Sequence, residues 1–283
     1  MRKWLTGLLA LLPWTPHAAA DEIKLAIFPS NDPAKLHAVM RVLGDYLAAR
    51  TGDAVATVVT RDYAELQQRV RERSVDIAWV NTLNYVRLIS DVPSARYLAT
   101  YMERNETTGR ITPYYQAYIV APRSGGIADL DGIRGKRFAF TDRASTSGFA
   151  FPNHMLKSRG IDPERDFAHV VFLKRHDRVA EALLHGAVDA GAISDGTYFT
   201  TRRAHGDALR ILAKSAPIPL DAIVASGSLD AAKAEAVKRA LLEMPPDHPF
   251  CRAMREILGW NAADFAVRDD GFYDSVRAVY AKP

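Results

Sequence analysis

The hydrophobic period of this chain keeps changing, and that restricts its fold more than any other feature. Short β-rich runs alternate with stretches whose apolar residues recur about every three to four positions. IKLAIF reads as a strand and PAKLHAVMRVLGDYLAARTG as an amphipathic helix ended by Gly52. ATVVT, YAELQQRVRER, VDIAWV, TLNYVRLIS and ARYLATYM continue as strand, helix, strand, helix and strand. A βαβαβαβ order predicts parallel strands joined by crossover helices. The polar stretch ERNETTGRITP interrupts it. YYQAYIVAP, GKRFAFT, HVVFLK and VDAGAIS then form a second set of strands, with helices at SGFAFPNHMLKSRG and DRVAEALLHG. LRILAKS and DAIVAS are further strands, and Ala231 to Tyr280 reads mostly as helix.

Two α/β units joined by extended segments predict a cleft between them, and 283 residues suffice for two such units. Ligands of open α/β sheets lie beyond the carboxyl ends of the strands. The loops of interest are therefore Phe28-Pro29-Ser30-Asn31, Asn81-Thr82, Ser145 to Gly148, His176-Asp177 and Ser194 to Tyr198, each of which follows a predicted strand.

The start of the chain has another purpose. MRKWLTGLLALLPWTPHAAA carries Arg2 and Lys3, an apolar run from Trp4 to Leu12, and Ala18-Ala19-Ala20 before Asp21. This is the layout of a secretory signal cut after Ala20. The run is too short to span the ~30 Å hydrocarbon layer, so cleavage and export are expected. No cysteine lies near the cut, and the single cysteine, Cys251, fits a buried apolar position. Of 37 lysines and arginines, Arg2 and Lys3 leave with the leader, so 35 stand against 33 acids, a net charge of +2. That near balance argues against a nucleic-acid partner.

TDRASTSGFAFPNHML concentrates the chemistry. Three hydroxyls, Ser145, Thr146 and Ser147, stand where a strand turns into a helix. First-turn N–H groups lack intrahelical partners and favour an anion. Hydroxyl donors beside them suit a tetrahedral oxyanion, and Gly148 would let it approach the backbone. A helix cap needs only one hydroxyl; this stretch supplies three.

Taken in order, the leader, KLAIFPSNDPAKL, VDIAWVNTLNYV, TDRASTSGFAFPNHML, HDRVAEALLHGAVDAGAISDGTY and DDGFYDSVR resemble the PhnD-type periplasmic substrate-binding proteins, which serve ABC importers of phosphonate, phosphite and phosphate. The resemblance covers nearly all of the chain after the leader. It implies a type II periplasmic-binding-protein fold: two α/β lobes, each a mainly parallel sheet flanked by helices, with a ligand cleft between them. One lobe would comprise 21–111 plus 213–283 and the other 112–212, with crossings near TPYYQ and LAKSAP. Ser145, Thr146, Ser147 and His176 would hold the phosphorus-bound oxygens, Asp177 would cap the next helix, and Asn81 and Thr82 would wall the other side. Asp195 would either meet an ammonium on the ligand or cap a helix. Tyr198, Tyr114 or its neighbour Tyr115, Ser30 and Phe28 are further candidates for the cleft. Trp79 is expected to pack and Arg143 to lie on the surface. The implied protein is a periplasmic monomer without cofactor or resident metal, its partners a small oxyanion and an ABC permease with its ATPase.

Other functions fit less well. No G-x-S-x-G elbow, H-E-x-x-H or phosphate-binding loop occurs, so catalysis is not expected. A ferric receptor could use Tyr114 and Tyr115, but neighbours on a strand face opposite ways. A ligand-presenting role for a membrane sensor kinase is a further alternative and would need a separate partner.

Overall fold

The computed structural model of the protein describes residues 22–281. The predicted leader and its cut after Ala20 lie outside the described residues. The first lobe begins with β1 (Glu22–Ile27), β2 (Ala54–Val59), β3 (Ile77–Val80), β4 (Arg96–Arg104) and β5 (Ile111–Thr112). The chain crosses through β6 (Tyr114–Tyr115) into β7 (Ala117–Pro122), β8 (Arg137–Phe140), β9 (His169–Phe172), β10 (Ala190–Ser194) and β11 (Leu209–Lys214). It returns through β12 (Ile218–Pro219) to β13 (Ala222–Ala225) and β14 (Ala262–Ala266).

The first sheet runs β14-β4-β13-β3-β1-β2, with β5 on β4; the second runs β11-β7-β10-β8-β9; β6 and β12 form a two-stranded ribbon between them. The two-lobed α/β fold agrees with the sequence, but the mainly parallel sheets expected are mixed. β1 pairs parallel with β2 and β3. β13, returning from the second lobe, enters antiparallel between β3 and β4, and β14 and β5 lie antiparallel on β4. In the second sheet β8 is parallel to β9 and β10, while β7 runs against β10 and β11. Alternation within one run of sequence shows its own strand directions and cannot show a strand inserted later.

Helices cover both sheets. They are α1 (Pro33–Thr51), α2 (Tyr63–Arg71), α3 (Thr82–Asp91), α4 (Phe151–Ser158), α5 (Pro163–Asp166), α6 (His176–Leu184), α7 (Asp195–His205), α8 (Ala231–Leu242), α9 (Pro249–Ala253) and α10 (Asp274–Tyr280). α1 follows from its sequence. Asp32 accepts from the N–H groups of Ala34 and Lys35, Pro33 fills the first turn, and Gly52 ends the helix at φ +80°. Leu36, Val39, Met40, Leu43 and Leu47 form its buried face. In the second lobe, strand alternation feeds two cores. Phe138, Phe140, Ala190 and Ala192 enter one, and Ala139 and Ile193 the other. Cys251 is buried and Trp79 is core, as expected.

Candidate functional site

The carboxyl ends of β1, β3, β8 and β10 converge between the lobes on a cavity of about 60 Å³. That is room for a few waters or one small solute. The lobes touch around it: the Asn81 amide donates to the Ala144 carbonyl at 2.8 Å, and the His176 N–H donates to the Ser30 carbonyl at 3.1 Å.

One side of the cavity is built from hydroxyls. After β8 the chain turns at Ser145, whose Oγ caps the helix by accepting from the Gly148 N–H at 3.0 Å. The first turn, Thr146–Ala150, is a wide π-type turn that leads directly into α4. Thr146 Oγ1 accepts from the Leu83 N–H at 3.0 Å and from the Thr82 hydroxyl at 3.2 Å, so its own proton is free for the cavity. Ser30 is 4% exposed, and its hydroxyl has no partner. His176 completes this side. Its Nδ1 accepts from the Ser194 N–H at 3.1 Å, so the neutral ring carries its proton on Nε2. Burial pulls its pKa down to about 4, so the ring is neutral at physiological pH. No formal charge is needed here; the donors are hydroxyls, a ring N–H and a helix start.

The other side is built from acids. Asp195, Glu103 and Asp221 all line the cavity. Asp195 Oδ1 accepts from the Gly196 N–H at 2.8 Å and Oδ2 from the Gln116 N–H at 3.0 Å. Asp221 accepts from the Trp79 indole at 3.0 Å. Burial raises Asp195 to about 7 despite its two backbone donors, and raises Asp221 to about 7. Burial, with the negative charge of Asp195 adding to it, raises Glu103 to about 8. The Tyr101 hydroxyl, in a residue 2% exposed, lies beside Glu103. Tyr115 joins the two sides: its phenol lies by Ser147 and Thr146 and in the field of Asp221 and Asp195. Such a site can hold oxyanion oxygens at one group and a cation at the other.

The family of ABC-transporter phosphonate periplasmic substrate-binding proteins matches this chain over residues 25–268. The chain belongs to this family. The phosphate-import protein PhnD of Mycolicibacterium smegmatis is 28% identical over 200 residues, which are 68% of this chain and 61% of that protein. Its match thus spans less than two thirds of that relative's length. A binding-protein component of an ABC phosphonate transporter from Pseudomonas aeruginosa superimposes with a TM-score of 0.80 at 19% identity, covering 92% of this chain and 86% of that one. PhnD1 from Prochlorococcus marinus, solved with methylphosphonate, gives 0.81 at 17% identity, covering 92% and 97%. At these identities the superpositions speak for the fold.

In this phosphonate-family protein seven of the ten residues singled out from sequence line the cavity: Ser30, Asn81, Ser145, Thr146, Ser147, His176 and Asp195. Three do not. Thr82 is buried behind the wall, bonded to Thr146. Tyr198 packs on Tyr118, ring centroids 5.5 Å apart, in the second-lobe core. Tyr114 is 39% exposed and lies against Phe272, while Tyr115 takes the cavity position. Strand alternation separates the pair, which removes the two-tyrosine ferric site. Asp177 does not cap α6. The cap position is Arg175, and the Asp177 carboxylate takes that guanidinium at 3.0 and 2.9 Å. Gly148 does not face the cavity; a Cβ there would sit 1.8 Å from Thr141 Oγ1, so the glycine lets the turn pack on β8. Asp195 also does not cap, since Ser194 accepts from the Thr197 N–H. Arg143 lies outside, over the Phe149 and Phe172 rings.

Proposed function

We propose that the protein captures a small phosphonate carrying an amine in the periplasm and delivers it to an ABC importer. The phosphorus-bound oxygens would accept from Ser30, Ser145, Thr146, Ser147, the first-turn N–H groups and His176 Nε2. The ammonium would lie among Asp195, Asp221 and Glu103. The observation that carries this reading is a buried, unpartnered hydroxyl, Ser30 Oγ, in the same cavity as three buried carboxyls, Asp195, Asp221 and Glu103. A buried polar atom without a partner and a buried unpaired charge are each costly, and a bifunctional solute would satisfy both. Phosphate would satisfy the hydroxyl side alone, and three acids would then stand beside an anion.

Binding needs no chemistry. The lobes close about the β6–β12 ribbon, and contacts such as Asn81 to Ala144 re-form across the mouth. In this reading the chain works as a single copy, and its closed form is what the permease recognises. The family description and the named relatives support the importer role.

A thermal-shift screen of the exported protein tests it. Aminoethylphosphonate at a hundredfold excess over its Kd should raise Tm by roughly 5 °C or more, with methylphosphonate and phosphate following and sulfate trailing. A shift with sulfate and none with any phosphorus anion would sink the reading.

A further inference from the structure

We propose that Trp260 sets the length of ligand the site accepts, and that Arg203 holds it in place. This rests on the phosphonate reading above. Trp260 belongs to the first lobe, follows the π-type segment Met254–Leu258, and lines the cavity on the acid side. Its position is imposed from the second lobe. Arg203, near the end of α7, donates to the Gly259 carbonyl at 2.6 Å and to the Glu106 carboxylate at 2.6 Å. The Thr200 hydroxyl, which donates to the Gly196 carbonyl at 2.8 Å, accepts from the same guanidinium at 3.2 Å.

The turn fits there only as glycine. Gly259 has φ +72°, and a Cβ on it would lie 2.4 Å from Thr200 Oγ1 and 2.9 Å from Arg203 Nη2. Pinned in this way, the next residue lays its indole against the start of α7, where a Cβ on Gly196 would stand 3.4 Å from Trp260 Cδ1.

A second space of about 20 Å³ lies beyond, bordered by Glu103, Arg104, Glu106, Asp195, Gly196 and Gly259. Glu103, Asp195 and Gly196 border both spaces; Trp260 faces the first and Gly259 the second. The Gly259–Trp260 turn is therefore the partition. A longer aminoalkyl chain runs into the indole. With the indole removed, it reaches a space where the Glu103 and Asp195 carboxyls still face it, which suits an ammonium.

Calorimetry with methylphosphonate, aminoethylphosphonate, aminopropylphosphonate and aminobutylphosphonate tests this on the full exported chain. In Trp260→Ala the ratio of aminobutylphosphonate to aminoethylphosphonate affinity should rise about tenfold or more over wild type, as expected for methylenes newly accommodated. Arg203→Ala should relax the length profile in the same direction by a smaller factor, and Arg203→Lys should restore most of it. Gly196→Val, which presses on the indole from the other lobe, should shift preference toward the shorter ligands. A folded Trp260→Ala with the wild-type length profile overturns the role of Trp260. If that variant fails to fold, an unchanged profile in Gly196→Val does so. A normal profile in Arg203→Ala overturns the clamp. Wild-type protein that binds none of the four overturns the phosphonate reading and this inference with it, whereas binding with an unmoved profile overturns this inference alone.

Discussion

The two sides of the cavity solve opposite electrostatic problems. The hydroxyl side offers neutral donors, held in place by other hydrogen bonds: Ser145 by Gly148, Thr146 by Leu83, and His176 by Ser194. It is ready for an anion before one arrives. The acid side offers carboxyls whose ionisation is opposed by burial and by one another. At neutral pH it is only partly charged. One side is fixed in geometry; the other changes its charge state near neutral pH.

The largest test of this contrast removes one acid. Asp221→Asn should weaken aminoethylphosphonate by about 4 kcal/mol, as for truncating one partner of a buried charge pair, and methylphosphonate far less. Calorimetry that found equal losses for both would erase the distinction. Next comes pH, read on the protein without ligand. Folded carboxyls raised to about 7 and 8 stay protonated where the unfolded chain has already lost its protons, so stability falls as pH climbs toward those values. His176, depressed to about 4, works the other way, but only below its ordinary value of 6.5. Between pH 6.5 and 8.5 only the acids act, and denaturant melts should lose on the order of 3 kcal/mol. Glu103→Gln should flatten that slope; a slope unchanged by it places the titration elsewhere.

On the hydroxyl side, Thr146→Val should cost about 3 kcal/mol of binding for every ligand alike, because it also strands the Leu83 N–H. Ser30→Ala should cost about 1.5 kcal/mol of binding, while the melting point without ligand stays level or rises, since an unpartnered hydroxyl is gone. A drop in that melting point would mean the hydroxyl already has a structural partner.

The same contrast explains what could be read from sequence. Ser145, Thr146 and Ser147 are consecutive, and their strand and helix flank them, so local chemistry announced them. The acid side comes from three distant places: the polar tail of β4 at Glu103, the start of α7 at Asp195, and the residue before β13 at Asp221. Only Asp195 follows a predicted strand, and only it was singled out. Glu103 reads as part of a solvated turn, and Asp221 as the polar edge of a buried strand. Their meeting depends on β13 entering between β3 and β4 after the excursion through the second lobe, and a separation of that size leaves no periodic trace. Tyr101 and Trp260 were not singled out, for the same reason. The lobes, their helices and the strand-end loops were legible because each depends on residues a few positions apart. The sequence left Tyr114 and Tyr115 as alternatives because a short strand fixes alternation without fixing its phase.

That short strand has one more consequence. Tyr115 is both a rung of the ribbon joining the lobes, opposite Ile218, and a wall of the cavity. Bending the ribbon would therefore turn a phenol that lines the cavity. Stiffening the ribbon would hold one wall of the cavity still without altering a single group at the mouth.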